Sequence, residues 1–392
     1  MRTLDIAFVT ETYPPEVNGV AMTVGRLVTG LRERGHRVSV IRPRQDKADA
    51  GGEHELALSG LPLPGYPGLR FGLPAGGRLA RQWRQRRPDL VHVVTEGPLG
   101  WSAVSTARRL GIPVTSGFHT NFDRYSVHYG VGWMRPAVAA YLRALHRRTR
   151  ATMVPTAALA ADLAGEGIGG VRVVGRGVDT VLFDPARRSS SLRSGWGAVD
   201  SWPVCLYVGR LAPEKNLDLV MESFAAMKRH APRARLLLVG DGPARRRLER
   251  EHPGHIYAGM RHGEDLAGHY ASADLFLFPS LTDTWGNVTL EALASGLPVV
   301  AYRLAAAAEF IRHGENGMLA DPGVSDQFVR GALDLVTRPR ARRRAAMAAP
   351  HSVAALDWEH IHDQLVAALR DAIARPALPP TDEAVYGFLA DP

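Results

Sequence analysis

The feature that most constrains this chain is a series of short, predominantly apolar runs, each closed by glycine or polar turn residues and followed by a helix-like stretch. They span residues 6–9, 38–41, 90–94, 113–115 and 152–155, then 204–208, 236–239, 256–257, 275–278 and 297–301. A strand with one wet face alternates apolar and polar side chains, whereas a strand buried on both faces is apolar at every position. Solid runs separated by helices therefore predict parallel strands sandwiched between helix layers, the doubly wound α/β plan. The rhythm stops and restarts, so two such halves are expected, alike in plan without a visible repeat of sequence.

A length of 392 residues also suits two domains rather than one. The pattern breaks over residues 183–202, where Asp184-Pro185, three serines at 189–191 and scattered Gly and Arg predict a linker. The expected division is an N-terminal domain over 1–185, a C-terminal domain over 186–357, a helix over 358–375 and a tail over 376–392. Ile361, Leu365, Ala368 and Leu369 carry the helical spacing, and the proline-rich tail is expected to be poorly ordered.

Composition narrows the setting. The single Cys205 excludes an internal disulfide framework or a cysteine metal cluster. Residues 1–15 are too acidic and too briefly apolar for a signal peptide, and no run approaches the roughly 18 apolar residues of a membrane span. A cytoplasmic protein is expected. The net charge of +9 invites a polyanionic partner. Only Lys47, Lys215 and Lys228 are lysines among the 48 basic residues, so arginine-rich coding is an alternative source of that basicity.

Ligands of open α/β sheets sit at the carboxyl ends of the strands, which directs attention to the loops there. The first, T-E-T-Y-P-P-E-V-N-G-V over residues 10–20, opens a helix at Asn18-Gly19, where glycine would let a phosphate approach backbone N–H groups. It is neither a dinucleotide G-x-G-x-x-G nor a P-loop, and an Asn-Gly turn also occurs simply as a turn. The second, G-F-H-T-N-F over 117–122, places His119 at a strand end, suited to a sugar hydroxyl or to developing charge, unless its ring serves the local backbone.

The third loop, G-R-L-A-P-E-K-N over 209–216, offers Arg210 and Lys215 to a diphosphate; a surface ion pair with Glu214 or Asp218 is the alternative. The fourth, S-L-T-D-T-W-G-N-V-T-L-E-A over 280–292, is the most informative. Asn287 as N-cap and Gly296 as C-cap delimit a short helix. Asp283 before it and Glu291 within it would present carboxylates to hydroxyls while backbone N–H groups hold phosphate oxygens. A capped helix with solvent-facing carboxylates is the plainer alternative. No two aspartates are separated by a single residue, so the short metal-chelating pair is missing and Arg210 with Lys215 would neutralise a leaving diphosphate.

Together these loops resemble the GT-B glycosyltransferases, specifically the retaining family 4, over roughly residues 5–369. The resemblance implies two Rossmann-like domains facing a central cleft, with the acceptor on the N-terminal side and a nucleotide-diphosphate sugar on the C-terminal side. It implies that Arg210 and Lys215 bind phosphate, that Glu291 binds ribose, and that His119 reaches the transferred sugar. The family's Glu-seven-residues-Glu spacing is kept with Asp283 as its first member, which would touch the sugar's hydroxyls. Gly19 and Val20 would close over the phosphates, Gly286, Asn287 and Val288 would present N–H groups to them, and the last helix would cross back to the N-terminal domain. The N-G-V, F-H-T-N-F and T-D-T-x-G-N segments are similar to bacterial GDP-mannose-dependent mannosyltransferases, with much of the pattern shared by sulfoquinovosyl-diacylglycerol synthases.

The function expected on that footing is metal-independent, retaining transfer of a hexose, mannose from GDP-mannose by preference, to a lipid at the inner face of the plasma membrane, with no cofactor. A UDP-sugar-dependent glycolipid synthase, transfer to a soluble or polysaccharide acceptor, and non-catalytic nucleotide or nucleic-acid binding are the alternatives. No nucleic-acid recognition motif is evident. Trp83 among Arg78, Arg81, Arg84, Arg86 and Arg87, and the cluster Arg143, Arg147, Arg148 and Arg150, are the candidate contacts to an anionic membrane or acceptor.

Overall fold

The computed structural model describes residues 2–16, 18–46, 48–62, 70–118, 135–199, 202–283 and 285–376. They fall into two compact units: one takes the described residues up to Arg176 and again from Trp358 onward, the other takes Gly177–Asp357.

The first unit is built on a seven-stranded sheet. Its strands in chain order are β1 (Asp5–Val9), β2 (Arg37–Pro43) and β3 (Glu55–Leu58), then β6 (Leu90–Val93), β7 (Val114–Gly117), β8 (Ala151–Val154) and β9 (Val171–Val173). Between them β4 (Gly60–Pro62) and β5 (Arg70–Gly72) form a separate antiparallel pair. The sheet order is β3-β2-β1-β6-β7-β8-β9, parallel throughout. The solid runs behave as their composition requires. Ile6 and Phe8 enter the core on one face while Ala7 and Val9 enter the core on the other, so every side chain of β1 is buried.

The helix Trp358–Ala374 belongs to this unit and lays Ile361, Leu365, Ala368, Leu369 and Ala372 into the Ile6–Phe8 side of the core. It packs on the helix Gly19–Glu33. Gly30 is required there, because a Cβ at that position would lie 2.0 Å from the His362 ring. His362 Nε2 donates to the Arg26 carbonyl at 3.1 Å, and Arg34 pairs with Glu359 and Asp363 at 2.7 and 3.1 Å.

The second unit holds six parallel strands: β10 (Val204–Val208), β11 (Arg235–Val239), β12 (Ile256–Gly259), β13 (Leu275–Phe278), β14 (Val299–Tyr302) and β15 (Gly317–Ala320). Their order is β12-β11-β10-β13-β14-β15. The chain winds outward from β10 to one edge and then returns to β13 on the other side, so the loops after β10 and β13 flank a topological switch point. In the first unit the loops after β1 and β6 stand in the same relation.

The stretch expected to be a linker is an integral part of this unit. A 3-10 turn at Pro185–Arg187 and the helix Ser190–Gly195 occupy it, and Phe183 is buried in the core. Arg193 is 1% exposed. Its guanidinium donates to Asp274 at 2.9 Å and to the carbonyls of Ser272, Val199 and Trp202 at 2.7, 3.0 and 2.8 Å. A buried cation supplied with a carboxylate and three carbonyls is an anchor, and two of its partners, Ser272 and Asp274, are distant in sequence. Among the described residues no helix is long and apolar enough to cross a membrane.

Candidate functional site

The loop after β10 is fixed by glycine. A Cβ on Gly240 would lie 2.0 Å from the Gly209 carbonyl oxygen, and one on Gly242 2.5 Å from that of Leu211. With both backbones in close approach, Gly209 N donates to Val239 O at 3.0 Å and Leu211 N to Asp241 O at 2.9 Å. Tyr207 reaches forward from β10 and donates its hydroxyl to the Arg210 carbonyl at 3.0 Å. The chain then makes a 3-10 turn at Pro213–Lys215, passes through Asn216 in the left-handed region (φ 54°) and enters the helix Leu217–His230.

The loop after β13 is laced to it. Asn216 Nδ2 donates to the Pro279 carbonyl and Thr282 Oγ1 to the Glu214 carbonyl, both at 3.4 Å. Lys215 Nζ donates to both carboxylate oxygens of Asp283, at 2.9 and 2.8 Å. The ion-pair alternative for the cations is thus half realised. Glu214 is buried with Oε1 3.9 Å from an Arg210 nitrogen, while Asp218 turns away to Arg247 at 2.8 Å.

The helix that follows is Asn287–Ala294, and its cap differs from expectation. Gly286, in the left-handed region at φ 86°, is the cap residue, and Asn287 is the first helical residue. Glycine prevails there because the turn out of the buried Trp285 needs a positive φ, which asparagine adopts at a cost. At the far end Ser295 caps and Gly296 follows at φ 76°. The first turn carries the N–H groups of Asn287 and Val288 at the positive end of the helix dipole. Glu291, half-buried one turn on, accepts from the hydroxyl of Tyr270 at 2.8 Å. Arg210, Lys215, Asp283, Gly286, Asn287, Val288 and Glu291 therefore lie on two tied loops and one helix start, at the carboxyl ends of β10 and β13.

In the first unit, Asn18 caps the helix Gly19–Glu33, and its side-chain oxygen accepts from Val20 N and Ala21 N at 3.1 and 2.9 Å. The Val20 N–H is thus held by the cap. His119 lies outside the described residues. Glu11, within the first loop but without a role assigned to it from the sequence, has a carboxylate that accepts from the Gly72 N–H and is packed so closely that a Cβ on Gly97 would collide with it. Burial pushes the Glu11 carboxyl up to about 7. Glu96, in the loop after β6, is likewise buried and shifted upward, its carboxylate 3.5 Å from buried His146. The available signal was position alone, since Glu11 and Glu96 both stand in loops just after the carboxyl ends of strands.

The surface expectations divide. On the helix Gly76–Gln85, Arg78, Arg81 and Arg84 are exposed, but Trp83 is 2% exposed and packs in the core with Leu79. This corrects its assignment to a membrane interface: Leu79 and Trp83 are four apart and form the inward stripe of the helix, which puts the arginines on the outer side. Arg147 donates to the carbonyls of Gly167 and Glu166 at 3.0 and 3.2 Å, closing the end of the helix Ala157–Gly165. The Arg148 guanidinium stacks 4.8 Å over Trp101, and Arg150 donates to three carbonyls at the end of the helix Trp358–Ala374.

Comparison with known proteins gives these loops a context. The family description Glycosyltransferase Family 4 matches residues 17–182 and Glycosyl transferases group 1 matches residues 202–338. The chain is 34% identical over 367 residues to the GDP-mannose-dependent alpha-mannosyltransferase of Mycobacterium tuberculosis, covering 92% of this chain and 95% of that protein. It is 29% identical to the sulfoquinovosyl transferase SQD2 of Arabidopsis thaliana, covering 87% and 68%. Among solved structures, sucrose-phosphate synthase from Thermosynechococcus elongatus superposes with a TM-score of 0.78 at 19% identity, covering 95% of this chain and all of that one. The chain belongs to glycosyltransferase family 4, and is a hexosyltransferase of the GT-B fold.

Proposed function

We propose that this enzyme transfers mannose from GDP-mannose to a lipid hydroxyl at a membrane surface, with retention at the anomeric carbon and without a metal ion. The observation that carries the reading is the convergence of Arg210, Lys215, Asp283, Glu291 and a helix N-terminus at the switch point of the second unit. A diphosphate needs fixed positive charge and N–H donors, and a ribose needs a carboxylate that accepts from its hydroxyls. Relatives named GDP-mannose-dependent alpha-mannosyltransferase, sulfoquinovosyl transferase and alpha-monoglucosyldiacylglycerol synthase support the donor and acceptor classes. An α product from an α-linked donor is retention.

In the proposed reaction the acceptor oxygen bonds to C1 on the face from which the diphosphate departs, the C1–O bond to phosphate breaks, and the acceptor's proton passes to the leaving phosphate oxygen. Arg210, Lys215 and the N–H groups at Asn287 and Val288 stabilise the charge that develops on the diphosphate. Asp283 and Glu291 orient sugar and ribose, and His119 is assigned to the transferred sugar on the resemblance. The exposed arginines of the helix Gly76–Gln85 would hold the enzyme at an anionic inner leaflet.

The test is nucleoside-diphosphate release from GDP-mannose and a panel of UDP-sugars in EDTA, with and without anionic vesicles containing diacylglycerol or phosphatidylinositol. GDP-mannose turnover stimulated by lipid is the expected result. A UDP-sugar preference would move the enzyme to the glycolipid-synthase reading, turnover indifferent to lipid would point to a soluble acceptor, and strict metal dependence would overturn the proposed account of the diphosphate.

A further inference from the structure

Glu291 is held from behind. Tyr270 stands near the end of the helix Gly263–Ser272, is fully buried in the core of the second unit, and donates its hydroxyl to Glu291 Oε2 at 2.8 Å. Its ring is fixed by Phe183, edge-on at 5.6 Å and 86°, and by Phe276 at 5.8 Å. Leu290 and Ala292 on either side of Glu291 are buried, so the backbone that carries the carboxylate is fixed as well. A glutamate on a half-exposed helix turn ordinarily samples several rotamers. Here one oxygen is pinned by a donor that cannot itself move.

Burial beside this carboxylate pushes the Tyr270 phenol well above its usual value, so the hydroxyl keeps its proton, and hence its donor role, at any working pH. A carboxylate offers about four acceptor positions. A bond to one oxygen from the core side sets the plane in which the others are presented, as recognition of two neighbouring hydroxyls requires.

We propose that Tyr270 is a positioning residue, whose hydroxyl sets the Glu291 carboxylate for the 2′ and 3′ hydroxyls of a nucleoside diphosphate and so supplies part of the enzyme's discrimination for ribose. The inference rests on the reading of Glu291 as the ribose contact. It adds a residue outside the binding motif whose effect should appear in one part of the ligand only.

The experiment is calorimetric titration of the full chain with GDP or UDP, whichever binds, and with its 2′,3′-dideoxy analogue, for the wild type, Tyr270→Phe, Glu291→Ala and the double variant. The wild type is expected to prefer the ribonucleotide. Tyr270→Phe should lose about tenfold in affinity for it, the scale of one hydrogen bond to a charged group, while dideoxynucleotide affinity stays within about twofold. On the Glu291→Ala background the tyrosine change should have no further effect on the ratio. A Tyr270→Phe protein that keeps the wild-type ratio, or that weakens both ligands equally, overturns the role of Tyr270 while leaving Glu291's intact. A wild type indifferent to the ribose hydroxyls overturns the reading of Glu291 and the inference with it. If Tyr270→Phe does not fold, Tyr270→Met, which removes the hydroxyl while filling much of the space of the ring, serves in its place; an unchanged ribose preference there counts against the inference.

Discussion

Lys215 Nζ faces the carboxylate of Asp283 and donates to both its oxygens, at 2.9 and 2.8 Å, with the two side chains 11% and 25% exposed. The cation assigned to the leaving diphosphate is therefore already partnered by the carboxylate assigned to the sugar. A diphosphate arriving at this site must share the ammonium with Asp283, and the competition is strong because both groups are largely shielded from water.

That relationship predicts opposite effects on binding and turnover. Asp283→Asn removes the competing charge and leaves an amide of the same size. Nucleoside-diphosphate affinity should rise several-fold, while turnover of the sugar donor falls by about tenfold or more through loss of the sugar contact. Titration calorimetry with the nucleoside diphosphate, beside steady-state kinetics, checks both. Weaker binding of the diphosphate would show that Asp283 assists the cation rather than competing with it. Lys215→Ala in the same assays should lose both affinity and turnover, with the fold retained.

Much of this site was legible in the sequence because strand ends are. Solid apolar runs located β10 and β13, and the loops after them contain Arg210, Lys215, Asp283 and Glu291. What the sequence could not give is which of these side chains meet. The Lys215 to Asp283 pair spans 68 residues and depends on Asn216 and Thr282 tying the two loops. Tyr270 has no motif of its own, being an aromatic at helical spacing like any core residue. Trp83 was misplaced for the converse reason: its arginine neighbours in sequence point away from it once the helix forms. The strands β3, β9 and β15 lie at sheet edges and are incompletely buried, so Glu55, Arg172 and Gly317 interrupt their apolar character, and the supposed linker hid a buried Arg193 whose carboxylate partner, Asp274, is remote.

Glu11 predicts a pH dependence of stability. Its carboxyl is pushed from 4.5 to about 7 chiefly by burial, with the nearby Glu16 acting in the same direction. A raised acid favours the protonated folded state. Its contribution is therefore fully present below about pH 4.5 and is lost as pH rises through about 7, amounting to about 3–4 kcal/mol at one pKa unit per 1.4 kcal/mol. Glu11→Gln, which keeps the shape and an acceptor for Gly72, should match the wild type near pH 4.5 and exceed its stability at pH 8. The difference between the two proteins in urea midpoint is the quantity to follow, because buried Glu96 and the downward-shifted His36, His92 and His362 add slopes of their own. A difference that does not grow with pH would contradict the assignment.

Ala305 predicts an easy gain. It opens the helix Ala305–Phe310 at φ 48°, the left-handed region that a β-carbon disfavours, and the next residue's N–H is tied to the Trp285 carbonyl at 3.0 Å. Holding alanine there costs about 1 kcal/mol. Ala305→Gly should therefore raise the melting temperature of the second unit by about 2–4 °C, the usual shift for that free energy in a domain of this size. Thermal unfolding by calorimetry decides it, and an unchanged or lowered transition would mean that the backbone at 305 carries no such cost.

The helix Gly76–Gln85 separates membrane attachment from stability by face. Its outer side carries Arg78, Arg81 and Arg84, while Leu79 and Trp83 are inside the core. Each basic residue near an anionic surface contributes on the order of 1 kcal/mol. The triple change R78S/R81S/R84S should therefore lower partitioning onto vesicles of phosphatidylglycerol and phosphatidylcholine at low salt by at least about tenfold, with little effect on melting and none on nucleoside-diphosphate affinity. Trp83→Ala should do the reverse, destabilising the first unit by about 3–5 kcal/mol through the cavity it leaves. Co-sedimentation of the two variants beside their melting curves reads both faces at once. Had Trp83 been an interfacial anchor, its loss would weaken sedimentation and spare the fold; were the arginines only a solvated face, the triple variant would sediment like the wild type.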